Sequence, residues 1–123
     1  MPYIVCKEYD FAAGHRIPEH PGKCRNLHGH NYRVRVHLRA ETLDPMGMVI
    51  DFAELKTLMH EVIEPLDHRV LNELPPFEHK NPTSENLAEH IFREVEVRLP
   101  RDRVRLDRVE LWENDTSCAI FER

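Results

Sequence analysis

The densest group of chemically capable side chains in this 123-residue sequence is Cys24-Arg25-Asn26-Leu27-His28-Gly29-His30. Two imidazoles two residues apart share one face wherever the chain is extended. Gly29 between them carries no side chain, so the backbone can sit close to whatever they hold. A third histidine, His15, follows Ala12-Ala13-Gly14 at the end of an earlier strand-like stretch, and hairpin-like pairing of the two stretches brings it beside the pair. Three imidazoles with nitrogens about 2.0–2.1 Å from one ion make a zinc centre whose fourth position is open, as catalytic zinc requires. Taken alone, His-Gly-His reads equally as a polar strand start with solvated rings. Nine histidines against five phenylalanines and one tryptophan, and a cysteine close by, favour metal binding. Cys24 keeps two readings open: a fourth ligand closing a structural site, or a free thiol beside an open one.

Two further groups could do acid–base or recognition chemistry. Asp67-His68 follows Pro65-Leu66, where the chain must turn. A carboxylate beside a histidine fixes its tautomer and raises its basicity, and such a histidine near Cys24 would help the thiol ionise. The alternative is an ordinary helix exit, with His68 at the negative end of the dipole. Glu113 continues the apolar face of Val109 and Leu111, an unusual place for a carboxylate, and could receive two parallel N–H donors from a flat heterocycle. It reads equally as a solvated strand mouth. Cys6 and Cys118 fall in strand patterns and are expected to be small buried residues. His20, His37, His60, His79 and His90 show no partner pattern.

The elements that must position these groups follow from periodicity. Tyr3 to Ala13 reads as a strand. Tyr32 to Ala40 alternates, with Val34, Val36 and Leu38 on one side and Arg33, Arg35, His37 and Arg39 on the other, which predicts a half-buried antiparallel strand. Asp51 to Glu54 has N-cap spacing, and Phe52, Leu55, Leu58, Met59, Val62 and Ile63 recur at helical steps until Pro65. Asn81-Pro82-Thr83-Ser84 starts a second helix, with Leu87, Ala88, Ile91, Phe92, Val95 and Leu99 on one face and Pro100 after it. Val104 to Glu113 and Ser117 to Glu122 are strands around a turn. The order ββααββ predicts an α+β fold: a four-stranded antiparallel sheet with two helices on one face, in a single domain over residues 1–123. Two open sheet edges predict association with further copies.

Composition excludes several classes. Hydrophobic residues make up 41% and charged residues 32%, as in a globular chain. A net charge of -5 gives no footprint for nucleic acid or an anionic membrane. No apolar run approaches the roughly 20 residues of a membrane span. With no signal-peptide pattern, and three cysteines too few and too scattered for a disulfide framework, a cytoplasmic location with reduced thiols is expected.

Six ordered blocks carry a resemblance. They are Phe11-Ala12-Ala13-Gly14-His15-Arg16, Cys24-x-x-x-His28-Gly29-His30, Val49-Ile50-Asp51-Phe52-Ala53-Glu54-Leu55, Pro65-Leu66-Asp67-His68, Asn81-Pro82-Thr83-Ser84-Glu85-Asn86 and Trp112-Glu113. Together they resemble the 6-pyruvoyl-tetrahydropterin synthase superfamily, most closely its bacterial 6-carboxytetrahydropterin synthase branch. The resemblance implies the tunnelling fold and a homo-oligomer, a trimer or hexamer with active sites between subunits. It implies zinc held by His15, His28 and His30, Cys24 as catalytic base, Asp67 and His68 as a proton relay, and Glu113 as the pterin anchor. The implied substrate is 7,8-dihydroneopterin triphosphate, converted by a lyase reaction to 6-carboxy-5,6,7,8-tetrahydropterin and acetaldehyde on the way to 7-deazapurines and queuosine. Arg16, Lys23 and Arg25 are candidates for the triphosphate. The runner-up is the pyruvoyl synthase, whose animal members place five residues between the cysteine and His-Gly-His where this chain has three. A non-catalytic zinc-stabilised module, with Cys24 as fourth ligand, is the reading from another class.

Overall fold

The computed structural model describes residues 1–100 and 102–123. Alternation in the first third of the chain produces two long strands, β1 (Tyr3–His15) and β2 (His28–Ala40). They pair antiparallel without interruption, from Tyr3 opposite Ala40 to His15 opposite His28. β2 therefore begins four residues earlier than alternation alone suggested, taking the His-Gly-His segment into the sheet. Side chains on a strand alternate faces. Phe11, Ala13 and His15 share one buried face with Tyr32, Val34, Val36 and Leu38.

Two helices cover that face. In α1 (Phe52–Ile63), the Asp51 carboxylate accepts the Ala53 N–H at 2.8 Å, satisfying one of the orphan donors at the helix start. Leu55, Leu58, Met59, Val62 and Ile63 are buried, but Phe52, expected in the same stripe, is 50% exposed at the first helical position. In α2 (Ser84–Arg98) the Thr83 hydroxyl accepts the Asn86 N–H at 3.1 Å. Leu87, Ala88, Ile91, Phe92 and Val95 pack on β4 (Arg105–Asn114) and β5 (Ser117–Glu122).

The sheet has five strands, not the expected four, and is mixed rather than wholly antiparallel. Between the helices, Arg69–Val70 forms a two-residue strand, β3, parallel to the end of β1, giving the order β3-β1-β2-β4-β5. Two residues leave no periodicity to detect, and only the packing of the turn after α1 against β1 creates this strand. It covers only Ala13 and Gly14, so most of the outer edge of β1 stays open, as does that of β5. A register shift against β2 lets Leu106 and Val109, three residues apart, both face inward.

The face without helices is charged. Arg35 donates to Glu8 at 2.6 Å and stacks over Trp112, while the Trp112 indole N–H and His37 both hydrogen-bond Glu110. Burial opposes ionisation of Glu110, but those hydrogen bonds and the nearby Arg35 charge outweigh it and hold the carboxyl below its usual range. Cys6 and Cys118, expected to be buried, are exposed on this face. Their strands belong to the core, but their positions in the alternation point away from it.

Leu71–Glu73 and Pro75–Phe77 form two short 3-10 turns, and Phe77 is buried edge-on against His90 of α2, with ring centroids 5.4 Å apart. Burial holds His90 below the usual imidazole range, with Lys80 and Arg98 acting in the same direction and Glu94 opposing them. The unfolded chain therefore binds this proton more readily, and stability should fall as pH drops below about 6.5, the ordinary histidine value. His90→Gln is expected to flatten that acid limb in urea titrations between pH 7 and 5, and an unchanged limb would refute the assignment.

Candidate active site

The β1–β2 register assembles the site. Direct pairing of His15 with His28, and of Ala13 with His30, brings the three imidazoles to one end of the sheet on the helix-covered face. Their ring centroids lie 4.6, 5.0 and 4.9 Å apart, and one ligand nitrogen from each lies within 4.8 Å of the others. Two of the rings are oriented by carbonyls. His15 Nδ1–H donates to the Pro82 carbonyl at 2.8 Å, and His28 Nδ1–H donates to the Asn26 carbonyl at 2.7 Å. A carbonyl only accepts, so each Nδ1 carries a hydrogen, and in the neutral ring Nε2 is the nitrogen left with a free lone pair.

The Nε2 atoms of His15 and His30 are buried and have no hydrogen-bond partner. Orphaned buried nitrogens call for an explanation, and an ion shared by three converging imidazoles supplies one, since imidazole nitrogens are a donor set that divalent zinc takes. Burial, and then the neighbouring His15 and His28, hold His30 below the usual imidazole range against the pull of Glu113, which favours the neutral, ligating form. The residues present fit a metal ion.

Glu113 reaches the same place. Its Oε1 lies 3.6 Å from His15 Nε2 and 3.4 Å from His30 Nε2, and it accepts a hydrogen bond from the Ser84 hydroxyl at 3.3 Å. A register shift between Trp112 and Asn114 sets Glu113 in a bulge against β5, a device that re-aims a side chain. The Tyr32 hydroxyl stands 3.4 Å from His15 Nδ1, and burial raises its pKa, which keeps it protonated. Reading the sequence for helix signals found Thr83-Ser84 as a start and missed Ser84 as a partner of Glu113. It also missed Tyr32 and the Pro82 carbonyl beside His15. A helix start signal says nothing about which strand the turn will meet.

Asp67 and His68 form the expected pair, with His68 Nδ1 2.9 Å from Asp67 Oδ1. They sit on the outer edge of β1 just before β3, where Asp67 accepts the Ala12 N–H at 3.0 Å and the His68 N–H donates to the Ala12 carbonyl at 2.6 Å. His68 is the sole non-glycine residue with positive φ (58°) among the described residues. A left-handed turn at such a residue costs on the order of 1 kcal/mol, and such strain concentrates at functional sites. The His68 side chain is 82% exposed and borders a cleft of about 570 Å³ on the helix-free face, beside Asn31 and Trp112.

Cys24 lies half-buried in the 3-10 turn Lys23–Arg25. Among the described residues it is not part of the metal-competent group, and no hydrogen bond or ion pair links it to Asp67 or His68. The fold thus gathers the three histidines and Glu113 but makes no direct bond between the dyad and Cys24 within one chain. Arg16, Lys23 and Arg25 are exposed on the neighbouring loops.

A helix-shielded sheet carrying three convergent histidines beside a strand-borne glutamate defines an α+β protein with a group of side chains able to hold a metal ion. A profile of the 6-pyruvoyl tetrahydropterin synthase family matches residues 4–123, and the chain belongs to that family, an enzyme of the tetrahydropterin synthase type. It is 40% identical to the 6-carboxy-5,6,7,8-tetrahydropterin synthase of Synechocystis sp., over 97% of this chain and 92% of that protein. It is 34% identical to the 6-pyruvoyl tetrahydrobiopterin synthase of Pongo abelii, over 96% of this chain and 90% of that protein. The solved structure of Caenorhabditis elegans 6-pyruvoyl tetrahydropterin synthase superposes with a TM-score of 0.89 at 32% identity, covering all of this chain (100%) and 96% of the other. The non-catalytic alternative falls with family membership, and Cys24 lies outside the ligand group. No helix among the described residues is long and apolar enough to cross a membrane.

Proposed function

We propose that the chain is a zinc-dependent 6-carboxy-5,6,7,8-tetrahydropterin synthase, folded as one domain over residues 1–123 and acting in the cytoplasm. It would convert 7,8-dihydroneopterin triphosphate to 6-carboxy-5,6,7,8-tetrahydropterin, acetaldehyde and triphosphate, feeding 7-deazapurine and queuosine synthesis. The observation that carries this reading is the convergence of His15, His28 and His30 with two orphaned Nε2 atoms, in a member of this family.

The residues divide the work. His15, His28 and His30 hold the ion, which when bound supplies Lewis acidity that eases proton removal from the substrate's side-chain hydroxyls and adjacent carbons. Glu113 accepts the two parallel N–H bonds of the pterin ring, fixing the side chain over the site. Cys24 takes the proton as base, and the Asp67-held imidazole of His68 returns one, each group needing a pKa near the working pH. The exposed dyad sits at the outer edge of β1 and makes no hydrogen bond or ion pair with Cys24 of its own chain. We therefore assign it to a neighbouring subunit's site in a trimer or a hexamer of paired trimers. Arg16, Lys23 and Arg25 are assigned to the triphosphate.

The carboxy branch is favoured by the three-residue spacing from Cys24 to His28 and by the 40% identity to the Synechocystis protein. The likeness to the Pongo abelii protein and the Caenorhabditis elegans structure supports the second reading, the pyruvoyl synthase, on the same site. Anaerobic incubation of zinc-loaded protein with 7,8-dihydroneopterin triphosphate, read by mass spectrometry, separates the two. Carboxytetrahydropterin with stoichiometric acetaldehyde is the expected result. A pyruvoyl product would overturn the branch and leave the site standing, whereas unchanged substrate would overturn the function.

A further inference from the structure

His28 and His15 both present Nε2 to the site, but they are oriented in different ways. The carbonyl that orients His28 belongs to Asn26, two residues away in the same turn, so it comes with the local chain. The carbonyl that orients His15 belongs to Pro82, 67 residues further along, and reaches His15 only if the turn before α2 is correctly shaped. His15 is also the deepest of the three rings, at 3% exposure.

A second group competes for the same nitrogen. The Tyr32 hydroxyl lies 3.4 Å from His15 Nδ1, near the outer limit of a hydrogen bond. A hydroxyl can donate where a carbonyl cannot. If the Pro82 carbonyl withdraws, the Tyr32 hydroxyl becomes the nearest partner of Nδ1 and, unlike the carbonyl, can donate to it. When it donates, the ring hydrogen sits on Nε2, and a ring in that tautomer offers no lone pair to an ion. The carbonyl therefore enforces the ligating tautomer, whereas the hydroxyl admits the non-ligating one.

One side chain holds the turn in the carbonyl arrangement. Asn86 Nδ2 donates to the Asn81 carbonyl at 2.9 Å, bridging the peptide just before Pro82. Its backbone N–H is taken by the Thr83 hydroxyl at 3.1 Å, so the Asn86 side chain is not needed for the helix cap. The same turn carries Ser84, whose hydroxyl reaches Glu113.

We propose that Asn86 is a positioning residue for the metal site: by bridging Asn81 it keeps the Pro82 carbonyl on His15 Nδ1 and so enforces the ligating tautomer over the one a donating Tyr32 hydroxyl admits. This rests on the metal site argued above. An outer partner of a ligating histidine is typically worth about 10–100-fold in metal affinity.

The test is zinc affinity, measured by chelator competition on metal-stripped protein, together with the His15 tautomer read by long-range 1H–15N NMR of the metal-free protein near pH 8. Asn86→Ala is expected to weaken zinc binding about tenfold or more, with the hydrogen on His15 moved to Nε2, while the far-UV spectrum is unchanged. Adding Tyr32→Phe to Asn86→Ala removes the competing donor and should restore most of the affinity, which a simple packing defect would not do. Asn86→Asp, which keeps the shape but loses the donor, should behave like Asn86→Ala and serves if the alanine variant does not fold. A lower melting temperature with unchanged zinc affinity and tautomer would overturn the proposal alone. Failure of the wild-type protein to bind zinc would overturn the metal-site reading with it.

Discussion

His28→Ala should leave a folded protein that no longer retains zinc and no longer turns over substrate. Of the three histidines, His28 makes the cleanest test. It is only half-buried, and its Nδ1 is held by Asn26 within its own turn, so trimming it disturbs no distant element. His15→Ala would instead open a void at a site 3% exposed and release the Pro82 turn, confounding ligation with packing. Losing an outer partner of a metal ligand typically costs about 10–100-fold in affinity, and losing a ligand itself should exceed about a hundredfold. Zinc per protomer by elemental analysis, chelator competition and far-UV circular dichroism decide the matter. Full zinc retention in a folded His28→Ala protein would remove the basis of the metal assignment.

The second large effect is expected at Cys24. Cys24→Ala should reduce turnover about a hundredfold to ten-thousandfold, the usual contribution of a positioned acid–base group, while zinc content and stability hold. The loop does not depend on the thiol. Its backbone is anchored by the Ile17 N–H donating to the Cys24 carbonyl at 2.8 Å, a bond that survives the substitution. Steady-state rates with dihydroneopterin triphosphate, set beside the zinc content of the same samples, give the readout. Parallel loss of zinc and stability would make Cys24 a ligand after all, and near-normal turnover would end its role as base.

Both expectations depend on how the chain is divided between local and distant information. The helices were legible because their caps and stripes lie within a few residues: Asp51 receives Ala53, and Thr83 receives Asn86, as side-chain caps must. The inward set Val34, Val36 and Leu38 followed from a period of two, and Glu113 was found because it broke an apolar face. Phe52 misled because a stripe says which side of a helix is apolar, not how far the sheet beneath it extends. The exposed Cys6 and Cys118 misled similarly, since strand membership was read as burial without asking which face each residue occupied.

The sequence by itself determined the α+β class, the placement of both helices, and the three histidines as one group of metal-competent side chains. Spacing on paired strands and ligand chemistry are local properties that the residues carry with them. Tertiary structure alone decided the rest. The parallel strand Arg69–Val70 exists only because the turn after α1 meets the edge of β1. The Pro82 carbonyl and the Ser84 hydroxyl reach His15 and Glu113 only because α2 starts beside that end of the sheet. The Asp67–His68 pair is held at the edge of β1 because the turn after α1 hydrogen-bonds to Ala12. These contacts join residues dozens of positions apart, and what fixes them is the burial of one common core rather than any local preference of the chain.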